Sequence, residues 1–439
     1  MDTITVLVAV SGALLAWLLN RSFVNPITLV LLIFAVVAYL PTLHLFGLYE
    51  FSDLAFRIVL AGIVFILVGF LLAFAFETMS RKSNAAKKHR FSKPAREVSY
   101  RLARVAAIVA IAVLIATRIA ILAILLNGGG FAAVRNYFLG YGGNVGYADS
   151  LGELAGRIIV SPILFALTPI FVYGLVVGPI NKRFTVLFVT AATLNLLTTG
   201  GRIMFVYAIV QFVVLYAIRR RSQVRLSRGK IATVVVMLAA LVIAVTVSRG
   251  NAVLYETYTY FAIPLPLLSH WAEWADAAQV RTHGLAFTYG IVTLIANLAD
   301  LLGSSIGGDV ADAVAAPQVS WVELLPGRPF NAFVTMFYYF YLDFRIPGVI
   351  LFSFLSGFIA QRIYGRAKYA GDTWSTLLFL LVLQGVVMSF VRWQPTDGAY
   401  VLAFVVLWIL TRRRTREPNS QASRTDDGAA IDLRRNTAS

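Results

Sequence analysis

Arginine is the residue type in this chain with the most pointed chemistry. Ten arginines stand apart from every lysine: Arg57, Arg118, Arg135, Arg157, Arg202, Arg249, Arg281, Arg328, Arg345 and Arg392. A guanidinium grips phosphate with a planar fork and keeps its charge in a partly dry site. Arg118, Arg135, Arg202, Arg249 and Arg328 therefore read as anion-binding candidates, against a general preference for arginine and a depletion of lysine on one side of a membrane. Arg118 lies inside an apolar run, where an ionised side chain must face a polar cavity or a partner. Its alternative reading is a buried ion pair with Asp53 or Glu153. Two stretches have composition suited to sugar: 127–153, rich in Gly, Asn and Tyr around Arg135, and 249–276, where Tyr258 falls among Tyr255, Glu256 and Tyr260. Pyranose rings stack their C–H faces on aromatics while their hydroxyls find polar partners. Tyr and Trp also collect at any membrane interface. His270 and Glu273, three apart in His270-Trp271-Ala272-Glu273, would share a helical face and suit a general base taking a proton from an attacking hydroxyl. A histidine beside tryptophans also packs without chemistry. There is no HExxH, no paired aspartate motif and no phosphate loop, so no metal and no cofactor is indicated. Zero cysteines exclude thiol nucleophiles and disulfides.

The elements that must position these residues are membrane helices. Of 439 residues, 59% are hydrophobic and only 13% charged, too few to cover a soluble surface. Apolar runs near 3–20, 25–47, 55–77, 102–126, 157–178, 184–199, 203–218, 231–248, 346–363, 374–391 and 398–411 read as about eleven transmembrane helices. The expected fold class is an all-α polytopic protein of the inner (cytoplasmic) membrane. The net charge of +17 sits mostly in short linkers, which reads as topology and not as a nucleic-acid surface. The loop Ser80–Arg104 carries nine cations and is placed inside. Lys182-Arg183, Arg219–Lys230, Arg362–Lys368 and Arg412–Arg414 then also fall inside, and the N-terminus outside. The first apolar run follows Met1-Asp2 without a basic region and reads as a retained helix.

Four regions follow: an N-terminal transmembrane bundle of about eight spans over 1–248, a large extracytoplasmic loop over 249–345, C-terminal transmembrane helices over 346–411, and a polar, disordered cytoplasmic tail over 412–439. The loop holds two more apolar stretches, near 285–302 and 329–342. Crossing by both would give thirteen spans and put the linker between them inside. That linker is acidic and lacks lysine, so the stretches are expected to lie at the interface or to re-enter the bundle.

Thr199-Gly200-Gly201-Arg202 at the outer end of the sixth span is similar to a Gly/Ser-Arg element of the Wzy-type oligosaccharide repeat-unit polymerases, the O-antigen and exopolysaccharide polymerase family. The stretch Arg328-Pro329-Phe330-Asn331-Ala332-Phe333-Val334-Thr335, followed by Tyr341-Leu342-Asp343-Phe344 and Gly348, resembles that family's Asn-x-x-x-Thr…Tyr-x-Asp-Phe-Gly stretch, with Arg345 where the family has glycine. Arg135 and Gly146 resemble its Arg-x10-Gly element. The resemblance implies a metal-independent glycosyltransferase of polysaccharide biosynthesis. A polyprenyl-diphosphate-linked oligosaccharide (undecaprenyl diphosphate as carrier) would be the donor, a hydroxyl of a second lipid-linked unit the acceptor, and a chain-length regulator protein a partner. It adds Asn331 and Asp343 to the substrate-binding candidates. A glycan ligase or another lipid-linked-sugar transferase would share these arginines. A lipid-linked oligosaccharide flippase would need polar residues along its helices, and the spans here are nearly free of charge.

Overall fold

The computed structural model describes residues 1–85, 96–127, 151–178, 180–199, 201–219, 253–301 and 308–413. In that range the chain is helical, apart from two short antiparallel ribbons. Helix α1 (Asp2–Asn20) stops where Arg21 turns left-handed, and α2 (Pro26–Tyr39) opens on Asn25, whose side chain accepts from the Thr28 N–H at 2.8 Å. Next come α3 (Leu54–Ala85) and α4 (Tyr100–Leu126), the latter broken at Arg118. A π-helical turn, Gly156–Val160, leads into α5 (Ser161–Val176), then α6 (Lys182–Thr199) and α7 (Ile203–Arg219). Five helices follow in the expected outer segment: α8 (Val253–Ala262), α9 (Pro264–Ala277), α10 (Tyr289–Leu301), α11 (Gly308–Val319) and α12 (Thr335–Phe344). Helices α13 (Ile346–Tyr369), α14 (Thr373–Met388) and α15 (Gly398–Leu410) complete the bundle, with Asp372 and Asp397 capping the last two. Strand β1 (Arg96–Val98) pairs with β4 (Thr411–Arg413), and β2 (Val322–Leu325) with β3 (Arg328–Phe330).

Six helices among the described residues are long and apolar enough to cross a membrane: Asp2–Asn20, Pro26–Leu43, Leu54–Ser80, Tyr100–Ile119, Gly156–Val176 and Ile346–Tyr369. Helices α7, α14 and α15 are apolar but shorter. Helix α6 covers the expected run 184–199, but Lys182, Arg183, Asn195 and its threonines lower its hydropathy, and it is not among the six. The run at 231–248 lies outside the described residues. Large apolar side chains such as Leu7, Leu18, Val186, Ile119 and Trp408 point outward from the bundle, as a lipid-facing surface requires. The protein is a helical membrane protein.

Helices α3 and α13 make the tightest contact. A Cβ at Gly69 would stand 2.1 Å from the Phe354 carbonyl oxygen, and one at Gly357 would stand 2.2 Å from that of Ile66. Only glycine permits backbones that close, and such packing binds helices where lipid removes the hydrophobic drive. Polar contacts then tie the two ends of the bundle separately. At one end Lys368 donates to the Asn20 carbonyl, Arg219 to those of Ala367 and Gly371, and β1 pairs with β4. At the other, Tyr49 donates to Glu323, the Leu45 N–H to Tyr258, and Arg202 to Glu256. Each contact joins segments that the charge pattern assigns to one side.

The segment 249–345 does not stand apart from the bundle, since its buried side chains belong to the same apolar core as the flanking helices. Helix α12 is buried from Thr335 to Asp343. Its Phe337 lies against Gly62 of α3 and 4.8 Å from the Phe34 ring of α2. The N–H groups of Val334 and Met336 bond the carbonyls of Val391 and Ser389, past the end of α14. A ten-residue helix is about 15 Å long, half the hydrocarbon thickness of about 30 Å, so α12 by itself is too short to cross.

Candidate functional site

The site is built around α8. Thr199 ends α6 by accepting the Gly201 N–H on its hydroxyl at 2.9 Å, and the chain turns directly into α7 with the Arg202 carbonyl accepting the first helical N–H groups. Gly200 lies outside the described residues. The turn leaves the Arg202 side chain at the mouth of the two helices, facing α8. There its guanidinium lies 3.5 Å from the Glu256 carboxylate and 3.3 Å from the Tyr260 hydroxyl, to which it donates, with the Tyr260 ring centre 5.5 Å away. Glu256 and Tyr260, four apart, occupy one face of α8. Both members of the ion pair are half-withdrawn from solvent, at 15% and 18% exposure.

The other faces of α8 hold the rest of the site in place. Tyr255 carries the Arg328 guanidinium over its ring at 4.8 Å and meets Phe46 edge-on. Tyr258 is buried, and its hydroxyl accepts the Leu45 N–H at 3.1 Å. Burial raises that hydroxyl above the ordinary tyrosine range, so it remains neutral. Tyr260 meets Phe333 edge-on at 5.1 Å, and Phe261 stacks on Phe390 at 5.0 Å. One short helix thus gathers the turn at 45–46, the β2–β3 hairpin, the start of α7 and the entrance of α12.

The remaining candidates fall into separate places. Arg118 is buried at the break in α4, donates to the Thr198 hydroxyl at 3.0 Å and lies against Gly156 of the π-helical turn. Thr198 is four residues before Arg202, at the end of α6, so Arg118 approaches the same end of that helix. Asn331 donates to the Gln318 carbonyl at 2.8 Å and shapes the approach to α12. Asp343 is fully buried and accepts four bonds, from the Thr282 hydroxyl and the N–H groups of Gly284, Ala286 and Phe287. Three of those donors share Oδ1 and one meets Oδ2, and together they fix the 282–287 loop. His270 is exposed on α9 with its ring edge-on to Trp271. Glu273 accepts from Ser52 and, at 3.2 Å, from Ser269, which ties α9 to the segment before α3. Among the described residues its polar contacts do not reach the Arg202–Glu256 pair. Arg135 and Arg249 lie outside the described residues.

Sequence reasoning placed Glu256 and Tyr260 in a stretch suited to sugar but did not single them out as site residues. Their i, i+4 spacing in Tyr255-Glu256-Thr257-Tyr258-Thr259-Tyr260 was the available signal, but Glu256 meets an arginine 54 residues earlier in the chain. Among the described residues no group of three or more His, Cys, Asp or Glu side chains is placed to hold a metal ion.

Fold and site together define a helical membrane protein in which Arg202, Glu256, Tyr260 and Phe333 meet where α6, α7 and α8 come together. No protein-family model, curated protein or solved structure matches the chain.

Proposed function

We propose that this protein joins polyprenyl-diphosphate-linked oligosaccharide repeat units into polymer at the outer face of the cytoplasmic membrane, as a metal-independent glycosyltransferase. The observation that carries the reading is Arg202, set at a helix mouth between a carboxylate and an aromatic wall. A lipid-linked diphosphate places its headgroup where the helices end while its tail stays in hydrocarbon, and Arg202 sits at a helix end. As the bond from the anomeric carbon to the diphosphate breaks, negative charge grows on the leaving oxygens, and a fixed guanidinium neutralises it as a metal does elsewhere. Tyr260 and Phe333 offer ring faces to a sugar, while Arg328 over Tyr255 supplies a second cation on the same helix. The finer topology belongs to this reading: eleven spans, 249–345 outside, a basic carboxyl-terminal end inside, and a chain-length regulator as partner.

Deleting the gene tests it. The expected result is loss of polymer, with single repeat units accumulating on the polyprenyl carrier. Full-length polymer accumulating on the carrier, unattached to its final acceptor, would replace the polymerase with a ligase.

A further inference from the structure

We propose that the cations opening α4 and α6 form a headgroup site for anionic phospholipid. The proposal is independent of the transferase reading.

Four cations stand together at the end of the bundle where β1 pairs with β4. Arg101 and Arg104 lie at the start of α4, and Lys182 and Arg183 at the start of α6. The two helices run parallel: the Tyr100 ring lies 5.7 Å from the Phe184 ring, and further along Arg118 donates to the Thr198 hydroxyl. Their first turns are therefore neighbours, and the two pairs of charge meet at one place. Arg101, Lys182 and Arg183 are exposed, whereas Arg104 is half-withdrawn and donates to the Tyr100 carbonyl at 3.3 Å. Glu97 is the carboxylate of the adjoining ribbon, opposite Arg412. Among the described residues none of the four cations is ion-paired.

Helix electrostatics makes this placement unfavourable. The start of a helix carries the positive end of its dipole, where carboxylates belong. Neither α4 nor α6 has an acid in its first turn, and two parallel neighbours add their positive ends. At the same end of the bundle α13 follows the rule, with Arg366 and Lys368 in its last turn. The bias of membrane proteins toward cations on one side is served equally well by a linker. It does not account for cations grouped on two adjoining helix starts. An anion from outside the chain offsets both the charges and the dipoles, and a guanidinium fork suits its phosphate.

The apolar side chains say which anion. Past the cations, α4 exposes Val105, Ile108 and Val109, and α6 exposes Val186 and Val189. Charge at the helix mouths with an apolar stripe below matches a phospholipid, whose phosphate meets the cations while its acyl chains cover the stripe. A free phosphate has nothing to lay there. The ribbon beside the site holds it in place. Arg96 of β1 lies over the Trp374 ring at 4.9 Å and the Trp408 ring at 5.1 Å, and donates to the Thr411 hydroxyl at 3.4 Å. The Ser99 N–H donates to the Leu410 carbonyl at 2.9 Å, which ties the residue before α4 to the end of α15. Tryptophans collect at headgroup level, so Trp374 and Trp408 set the height at which these cations meet a lipid.

Purified full-length protein in a neutral detergent is titrated with phosphatidylglycerol, phosphatidylcholine or inorganic phosphate while its thermal midpoint is followed. Retained lipid is counted by native mass spectrometry. Phosphatidylglycerol is expected to raise the midpoint and the other two to leave it unchanged. Arg101→Gln with Arg104→Gln, and Lys182→Gln with Arg183→Gln, should each cut retained phosphatidylglycerol several-fold. Removing the same two charges at Arg362 and Arg366, exposed on α13 at this end, should leave retention at the parental level. No response to phosphatidylglycerol overturns the proposal, as does an equal rise with phosphatidylcholine or with inorganic phosphate. Equal loss from all three pairs would reduce the site to diffuse surface charge, and parental retention from either the α4 or the α6 pair would sink it. Should a pair not fold, the single variants Arg101→Gln and Arg183→Gln carry the same comparison.

Discussion

Arg345 adopts φ +59° and ψ −141° and sits with its Nε 2.7 Å from the Asp276 carboxylate. That backbone region is close to the one reserved almost wholly for glycine, and a side chain there costs about 1–3 kcal/mol. The strain is offset locally. Arg345 also donates to the Ala275 carbonyl at 2.7 Å, lies over the Tyr341 ring at 5.2 Å, and shares Asp276 with the Tyr341 hydroxyl. Burial and the bond to Asp276 push that hydroxyl well above its usual range, so it remains a donor. The arginine that interrupts the Asp-Phe-Gly resemblance thus occupies a glycine's conformation, and an ion pair holds it there.

Removing the offset should therefore cost more than removing the strain. Asp276→Asn keeps the unfavourable backbone and weakens its compensation, whereas Arg345→Gly loses the ion pair but relaxes the turn. We expect Asp276→Asn to lower the thermal midpoint in detergent by more than Arg345→Gly does. The opposite order would mean that the turn carries little strain.

Asp343 should behave as a structural residue. Alanine there would orphan four buried donors, at a cost of about 3 kcal/mol or more. Asparagine can keep the oxygen that serves Thr282, Gly284 and Ala286 and loses only the bond from Phe287. Protease resistance in membranes should fall in the order parent, Asp343→Asn, Asp343→Ala. A fully resistant alanine variant that makes no polymer would instead assign Asp343 to the substrate.

Arg202 should not tolerate lysine. An arginine that only anchors a helix end by reaching to the interface is replaced by lysine with little loss. A diphosphate fork is not, because an ammonium is a point charge. Arg202→Lys and Arg202→Ala are both expected to stop chain extension at unchanged protein levels, with lipid-linked single units accumulating. Normal polymer length from the lysine variant would return Arg202 to the anchors.

Because the chain lacks cysteine, single introduced cysteines report topology cleanly. Val319, exposed at the end of α11, should react as Val319→Cys with an impermeant maleimide in intact cells. Lys182→Cys, at the start of α6, should react only after permeabilisation. Reversal of either result would overturn the assigned orientation.

Hydropathy, read along the chain, determined that this is a helical membrane protein and where most of its helices run. These are local properties: about 20 apolar residues form a helix in lipid because no other partner exists for their backbone. The same reading marked Arg202 and Arg118, since a guanidinium at a helix end or inside a span is visible without knowing its neighbours. It had no means of pairing Arg202 with Glu256 across 54 residues, Arg118 with Thr198 across 80, or Asp343 with the 282–287 loop. Nor could it separate a buried Asp343 saturated by donors from an acid facing a ligand, since both read as one aspartate in an aromatic run. Polar partners in a bundle depend on which helices touch and at what height, and small residues such as Gly69 and Gly357 set those contacts. The packing of α12 was hidden for the same reason. A ten-residue apolar run does not name its neighbours, and α12 packs against α2, α3 and the segment after α14.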